Sequence, residues 1–513
     1  VANARLQDAF ARRFNAATRQ ALVPIPAQPT NGDEALADKC ATYTKCVKQA
    51  GPGKVDFAAY ALFRAATLSG AWTDYEAIPL GGGRTLNGPM DCYATNFMGA
   101  DSVQFGLPEV PAPPGLASKA YATELVELYW CSLLRDCAFS GYAESSVAEA
   151  AAKELSGLPE YAGPRDAAGK VTPALLFRGG FVGETVGPYL SQFLVAKTNL
   201  GALPIEQKYV TYKAGVDYLT DEASWFLVQN GGSTGLSDQA EPEPKYLHNG
   251  RGLAAYTHVD ELFQAYLTAY LVLRSMGAPV NPGNPYLHSK TQNGFGTFAP
   301  PDFAAMLAQV AKMALGAVWY QKWVVHLRHR PEAGAGLVQL VHGGATFSAQ
   351  PDGLVFASEG LRRSHAKYGS YLLSQPFPEG SPSHPAYPTG HGTVGGACIT
   401  LLKFFFDGGF VLKGTPQVPS HDGTTLKDWS GEPSQGAAGA LTVNGELHKL
   451  AHNVTFAHGL HGGIHWRSDS DSSITLGEAV ALSFLSDLAC TYAEPFTVSF
   501  TKLDGSMAVI GNQ

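Results

Sequence analysis

Apolar and polar positions repeat with a helical period in several long blocks of this chain, and proline and glycine separate the blocks. In TELVELYWCSLL (123–134), Leu125, Leu128, Tyr129 and Leu133 share one stripe, the spacing of a helix with one face turned to a core. The segment DELFQAYLTAYLVLRSM (260–276) repeats the pattern with Leu262, Phe263, Tyr266, Tyr270 and Leu273. The longest block, PDFAAMLAQVAKMALGAVWYQKWVVHLRHRP, runs from Pro301 to Pro331 with no proline inside and predicts a helix of about twenty-five residues. Breaks fall at PEVPAPPG (108–115), QAEPEPK (239–245), APVNPGNP (278–285) and PFPEGSPSHPAYP (376–388), where turn-forming residues cluster. Strand-like alternation is short and scattered, as in TVSFT near the end. There is no internal repeat, and the chain reads as mainly α.

Composition narrows the class. Of 513 residues, 45% are hydrophobic and 16% charged, values of a compact soluble protein with ample material for a core. A net charge of -8 argues against nucleic acid or an anionic membrane as the main partner. The most apolar window, ACITLLKFFFDGGFVL, is interrupted by Lys403 and Asp407, so no membrane span is expected. A start at Val1 is consistent with removal of an upstream segment and leaves the compartment open. The spacing C-x5-C occurs twice among the seven cysteines, at Cys40/Cys46 and Cys131/Cys137, and predicts one or two local disulfides with at least one thiol left over.

Three short stretches carry candidate chemistry. In KWVVHLRHRPE, Lys322 and Arg330 are eight residues apart, about 80° out of line on a continuous helix. Pro331 changes this by forcing Arg330 out of the helical region, so its planar fork can address the point reached by the Lys322 ammonium, a pairing suited to a tetrahedral oxyanion. In HPAYPTGHGTVGG, Thr389 stands at an N-cap, Gly390 admits an anion close to the backbone, and His391 follows in the first turn; a helix start of this kind binds anions, and its imidazole can exchange protons with them. In FAHGLHGGIHWRSD, His465 and Asp469 are four apart, so on a helix the carboxylate fixes the imidazole tautomer and frees the other nitrogen to bond a central atom. His458, His461 and His465 would also suit zinc if they shared a helix face, but Gly459, Gly462 and Gly463 weaken that helix. Each stretch alone reads equally as ordinary capping or dipole chemistry.

Taken together, K-x7-RP, then P-T-G-H, then H-x3-D resembles the signature of vanadium-dependent haloperoxidases and the related acid phosphatases, most closely the algal bromoperoxidases. WYQKWVVH with RPE, SPSHPAYPTGH and GIHWRSD carry the likeness, with FVGETVGPYLSQFLV, WFLVQNGG and KTQNGFGTF beyond them. The resemblance implies an α-helical protein with two four-helix bundles: residues 1–119 form a helical and loop region packing on the core, and 120–513 form the catalytic region. It implies vanadate as cofactor, held by Lys322, Arg330, Thr389, Gly390, His391 and His458, with His465 as the one protein ligand of vanadium and Asp469 behind it. Lys322, His391 and His465 would carry catalysis, and Trp319 and His384 would line the halide side.

The implied reaction uses vanadium(V) as a Lewis acid toward hydrogen peroxide, so that bromide or iodide is oxidised to hypohalous acid, which halogenates organic acceptors. A homo-oligomer in an extracellular, cell-wall or periplasmic location is implied likewise. Two positions depart from the family pattern. Thr389 replaces the usual serine, and Gly459 occupies the place of an arginine six residues before His465; one inserted residue would bring His458 there instead. That substitution predicts that His458 or His461 contacts the oxyanion. Two readings compete: a phosphatase with His465 as nucleophile, since phosphate has the same shape and charge, and a non-catalytic descendant.

Overall fold

The computed structural model describes residues 2–22, 27–94, 96, 98, 110–432 and 436–512. Its α-helices are α1 Ala2–Ala21, α2 Phe57–Ser69, α3 Trp72–Glu76, α4 Lys119–Leu134, α5 Ser146–Ser156, α6 Glu222–Gln229, α7 Gly250–His258, α8 Gln264–Ser275, α9 Pro300–Tyr320, α10 Pro331–His342, α11 Gly353–Phe356, α12 Glu359–Tyr368, α13 Gly390–Phe405, α14 Val443–Phe456 and α15 Arg467–Ala489. Strands pair only as two-stranded antiparallel ribbons among the described residues. The TVSFT segment is one of them, Thr497–Thr501 against Met507–Gly511, with Val498 and Phe500 turned inward.

Four helices, α9, α13, α14 and α15, pack as one bundle with α8 alongside. Their apolar faces merge in a core that includes Leu307, Val310 and Ala314 of α9, Val394, Ile399 and Leu402 of α13, Leu447 and Val454 of α14, and Ile474, Val480 and Phe484 of α15. The α13 and α15 backbones touch. A Cβ at Gly396 would fall 1.9 Å from the Ile474 carbonyl oxygen, and one at Gly477 2.0 Å from that of Thr393, so only glycine allows this approach. It brings the starts of the two helices together.

The second group surrounds α4 with α5, α10 and α12 over a separate core containing Leu125, Trp130, Leu155, Leu337, Leu361 and Trp466. Here α4 departs from the one-faced helix its stripe predicts: Tyr121 to Ser132 are buried on every side, Glu124 and Glu127 included. Burial of those carboxylates is tolerable because each is paired, Glu124 with Arg328 at 3.0 Å and Glu127 with Arg467 at 2.5 Å. The N-terminal region joins the body through a small core in which Tyr43, Val47 and Phe63 pack on Trp323 and Leu327.

Several expectations are corrected. The long helix stops being α-helical at Tyr320, continues as a π-turn over Gln321–His326 and ends at Leu327, whose φ is 45°. The stretch Pro300–His326 is long and apolar enough by length and composition alone to cross a bilayer, and its apolar surface packs inside the bundle against α13 and α15. The helix predicted from Asp260 starts at Gln264. All seven cysteines are free thiols. Cys131 lies within α4 and Cys137 beyond its end, and their sulfurs meet different partners, Cys131 Sγ at 3.2 Å from His461 Nδ1 and Cys137 Sγ at 3.7 Å from the Ala138 carbonyl. Most of PEVPAPPG from Val110 onward is described; Pro108 and Glu109 lie outside the described residues.

Candidate active site

Two π-turns and two helix starts converge where the two cores meet. A π-turn carries one residue more than an α-turn and commonly marks functional positions. The first, Gln321–His326, turns Lys322 inward. The chain then runs extended to Arg330, whose φ of -78° and ψ of 157° are those that Pro331 demands. The loop 384–389 leads into α13 through a cis Tyr387-Pro388 bond, and the second π-turn, Ala457–His461, precedes His465 and α15.

Lys322 and Arg330 are both buried. Lys322 Nζ donates to the carbonyls of Pro385 at 3.0 Å and Ala386 at 2.7 Å. Arg330 Nε donates to the His384 carbonyl at 3.0 Å, Nη1 to the Ile464 carbonyl at 3.1 Å, and Nη2 lies 2.9 Å from His384 Nδ1. Among the described residues neither cation has a carboxylate within ion-pairing distance. Burial, and then the charge of Arg330, push the Lys322 ammonium well below its ordinary pKa; burial first also brings Arg330 down to about 10. Two buried basic side chains held by carbonyl oxygens and neutral imidazole nitrogens form a site that a bound anion would stabilise.

At its centre stands His465. Nδ1 lies 2.9 Å from Asp469 Oδ2, and Nε2 lies 2.8 Å from Arg330 Nη1. Asp469 accepts only, so the hydrogen-bond network assigns the proton to Nδ1 and leaves the Nε2 lone pair to accept from Arg330. Burial, followed by Arg330 and Lys322, holds the imidazole neutral, its pKa well below the usual value. The pair forms without the helix that sequence spacing suggested: His465 precedes α15, whose N-cap is Trp466, and Asp469 is the third helical residue, also accepting from the Trp466 backbone N–H at 3.2 Å. Asp469 Oδ1 accepts from Arg328 Nη1 at 2.7 Å, and its carbonyl accepts from the Thr389 N–H at 3.0 Å. Thr389 is an N-cap by position only; its hydroxyl bonds no helix N–H and lies 3.4 Å from Ser470 Oγ.

The second π-turn resolves the departure at Gly459. Its extra residue brings His458, not Gly459, to the site: the His458 ring stacks on His391 at 4.6 Å between centroids and lies 6.0 Å from His465. Its Nδ1 is buried without a hydrogen-bond partner. Burial, then His391, His465 and Arg330, depress its pKa well below the usual value. A Cβ on Gly459 would instead meet Ser470 Oγ at 3.1 Å. His461 turns away and sits 2.8 Å from the Tyr189 hydroxyl and 3.2 Å from Cys131 Sγ, which dissolves the zinc triad. On the remaining side, Trp319 and His384 lie 4.7 Å apart, Trp319 faces Lys322 at 5.8 Å, and a Cβ on Gly390 would come within 3.1 Å of Trp319.

Sequence reasoning missed three charged residues. Asp260 Oδ1 lies 3.0 Å from His391 Nε2; the residue looked like the start of α8. Arg328 and Glu124 extend the chain behind Asp469. Arg328 was visible beside Arg330 in RHRP, but Glu124 sits on what read as the polar side of α4.

The cluster unites all ten predicted positions, Trp319, Lys322, Arg330, His384, Thr389, Gly390, His391, His458, His465 and Asp469, and the comparisons with known proteins bear on what such a cluster belongs to. The vanadium-dependent bromoperoxidase of Ascophyllum nodosum is 32% identical over 98% of this chain and 92% of its own length. The chain belongs to the vanadium-dependent bromoperoxidase family. The Corallina officinalis member is 32% identical over 77% of this chain and 75% of its own. A family model for the VCPO second helical-bundle domain matches residues 302–489, the span that holds the stretches WYQKWVVH with RPE, SPSHPAYPTGH and GIHWRSD. The homohexameric second vanadate-dependent bromoperoxidase of Ascophyllum nodosum superposes with a TM-score of 0.89 at 29% identity, over 99% of this chain and 90% of that one. These family relations favour the peroxidase reading over the phosphatase.

Proposed function

We propose that this chain is a vanadate-dependent haloperoxidase that oxidises bromide or iodide with hydrogen peroxide, releasing hypohalous acid to halogenate organic acceptors. The observation that carries the reading is His465: one neutral imidazole with its proton fixed on Nδ1 by Asp469 and its Nε2 accepting from the buried Arg330, which among the described residues has no carboxylate within ion-pairing distance. The residues fit the cofactor, because the orphaned His458 Nδ1 and the unpaired charges of Lys322 and Arg330 call for an oxyanion. His465 would ligate vanadium, with Lys322, Arg330, His458, the Thr389 hydroxyl and the Gly390 N–H around the oxygens. Bound vanadium(V) supplies Lewis acidity toward peroxide without a change of oxidation state.

The chain's own groups perform the rest. Lys322 and Arg330 stabilise charge on oxygen in a water-poor pocket, as oxyanion donors do. Asp260 holds His391 Nε2, leaving Nδ1 to take and return a proton. Trp319 and His384 offer an aromatic wall beside the cations, suited to a soft halide. We also read the protein as a homo-oligomer, supported by the homohexameric relative. The test is to strip the protein, then titrate orthovanadate while following bromination of an activated phenol with peroxide. Activity that rises to saturation at one vanadium per chain, and is lost in His465→Ala together with vanadium retention, is expected. Bromination independent of vanadate, or faster aryl phosphate hydrolysis, would overturn the proposal.

A further inference from the structure

We infer that two copies of this protein pair by exchanging their N-terminal helices, α1 of one subunit lying along the outer face of α2 and α3 of the other. The inference rests on the homo-oligomeric reading above and specifies its contact.

Helix α1 is amphipathic, yet among the described residues nothing buries its apolar face. Leu6, Phe10 and Phe14 recur every four residues and are 65%, 64% and 59% exposed, with the two phenylalanine rings stacked at 6.2 Å. Arg5, Arg12, Arg13 and Arg19 stand against a single acid, Asp8. Among the described side chains of α1 none is buried. Most helical stability in proteins comes from packing of an apolar face, so α1 needs a surface that the described residues of its own subunit do not provide.

Helix α2 supplies the complement. Its inner face, Ala59, Tyr60, Phe63 and Ala66, is buried. Its outer face is apolar as well: Phe57, Leu62 and Leu68 are 59%, 45% and 67% exposed, Trp72 of α3 extends the row at 65%, and the exposed Ala58, Ala61 and Ala65 lie between them. A surface helix ordinarily turns polar residues outward, and a contiguous apolar row marks a contact surface. The alanines leave a shallow track for large side chains such as Phe10 and Phe14 to enter. Asp74 and Glu76 stand at the α3 end of the row, an acidic rim for a helix rich in arginine. Two-fold exchange repeats the contact, which is how one stripe reaches the roughly 1,600 Å² of a stable interface.

The experiment compares masses by light scattering for the full-length protein, for Phe10→Glu with Phe14→Glu, and for Leu62→Glu with Leu68→Glu; none of these residues touches the active site. Each double variant alone should fall to half the wild-type mass or less while keeping its orthovanadate affinity. Mixing the two at high concentration should give mixed pairs, weaker than wild type, because the intact α1 of one variant then meets the intact α2 of the other while the second contact stays broken. Unchanged mass in either variant overturns the exchange and leaves the homo-oligomeric reading standing. Loss of mass with no mixed pair even at high concentration also overturns it, because an intact α1 would then have no affinity for an intact α2. A monomeric wild-type protein would refute both readings.

Discussion

His458→Arg puts a permanent cation where the family pattern has arginine and this chain has a buried, neutral imidazole. The magnitude follows from position. At the 6.0 Å that separates the His458 and His465 rings, and with an effective dielectric near 20, a new cation attracts each unit of anion charge by about 3 kcal/mol. Desolvation of the guanidinium and repulsion from Arg330 and Lys322 oppose this by several kcal/mol. Without an anion only the opposing effects act, so the variant should unfold a few degrees below wild type by thermal melting. With orthovanadate bound, the attraction offsets them. The difference in Tm should shrink at saturation, and the Kd for orthovanadate, measured calorimetrically, should tighten about tenfold, which is 1.4 kcal/mol. Equal loss of stability with and without vanadate, at unchanged Kd, would refute the placement of residue 458 against the anion. Gly459→Arg is the contrasting variant: its side chain would start 3.1 Å from Ser470 Oγ and 3.5 Å from His465 Cβ, so it should disturb His465 and weaken vanadate binding.

Asp469→Asn should lower orthovanadate affinity by about 10- to 100-fold in a binding titration, because the tautomer of His465 and its orientation both depend on this carboxylate. Lys45→Met leaves Glu332 buried without its 2.5 Å ion partner and should lose about 3–5 kcal/mol in urea unfolding, most of it recovered by adding Glu332→Gln. His452 lies between Glu184 and Asp471 with its pKa raised to about 9, the Glu184 charge opposing burial. Since that value exceeds the unfolded one, its stabilisation, on the order of 3 kcal/mol, is complete below the unfolded pKa and disappears as pH rises through about 9; His452→Gln should flatten the alkaline limb of Tm against pH. His326, His329 and His461 are held down to about 3 mainly by burial, so they withdraw stability as pH falls from the unfolded histidine value toward 3, an acid limb that His461→Phe should make shallower.

The motifs carried most of the active site, and their limits were physical. K-x7-RP was legible because proline dictates the backbone of the residue before it, and Arg330 is extended for that reason. Spacing alone misjudged His465 and Asp469: a contact four residues apart suggested a helix, whereas the carboxylate reaches back across a helix start. The disulfide expectation failed because C-x5-C says nothing about whether one cysteine lies inside a helix, as Cys131 does. Asp260 and Glu124 carried no local signal, since a lone carboxylate on a helical segment looks the same whether it meets water or a buried partner.

By itself, then, the chain determined which segments are helical, where proline and glycine end them, and which cationic, hydroxyl and imidazole residues recur in a recognisable order, because those are properties of neighbours along the backbone. Tertiary structure alone decided which histidine faces the cations. One extra residue in the Ala457–His461 turn rotates His458 inward and sends His461 to Tyr189 and Cys131, and that choice depends on how α4, α13 and α15 pack around the turn rather than on any residue within it.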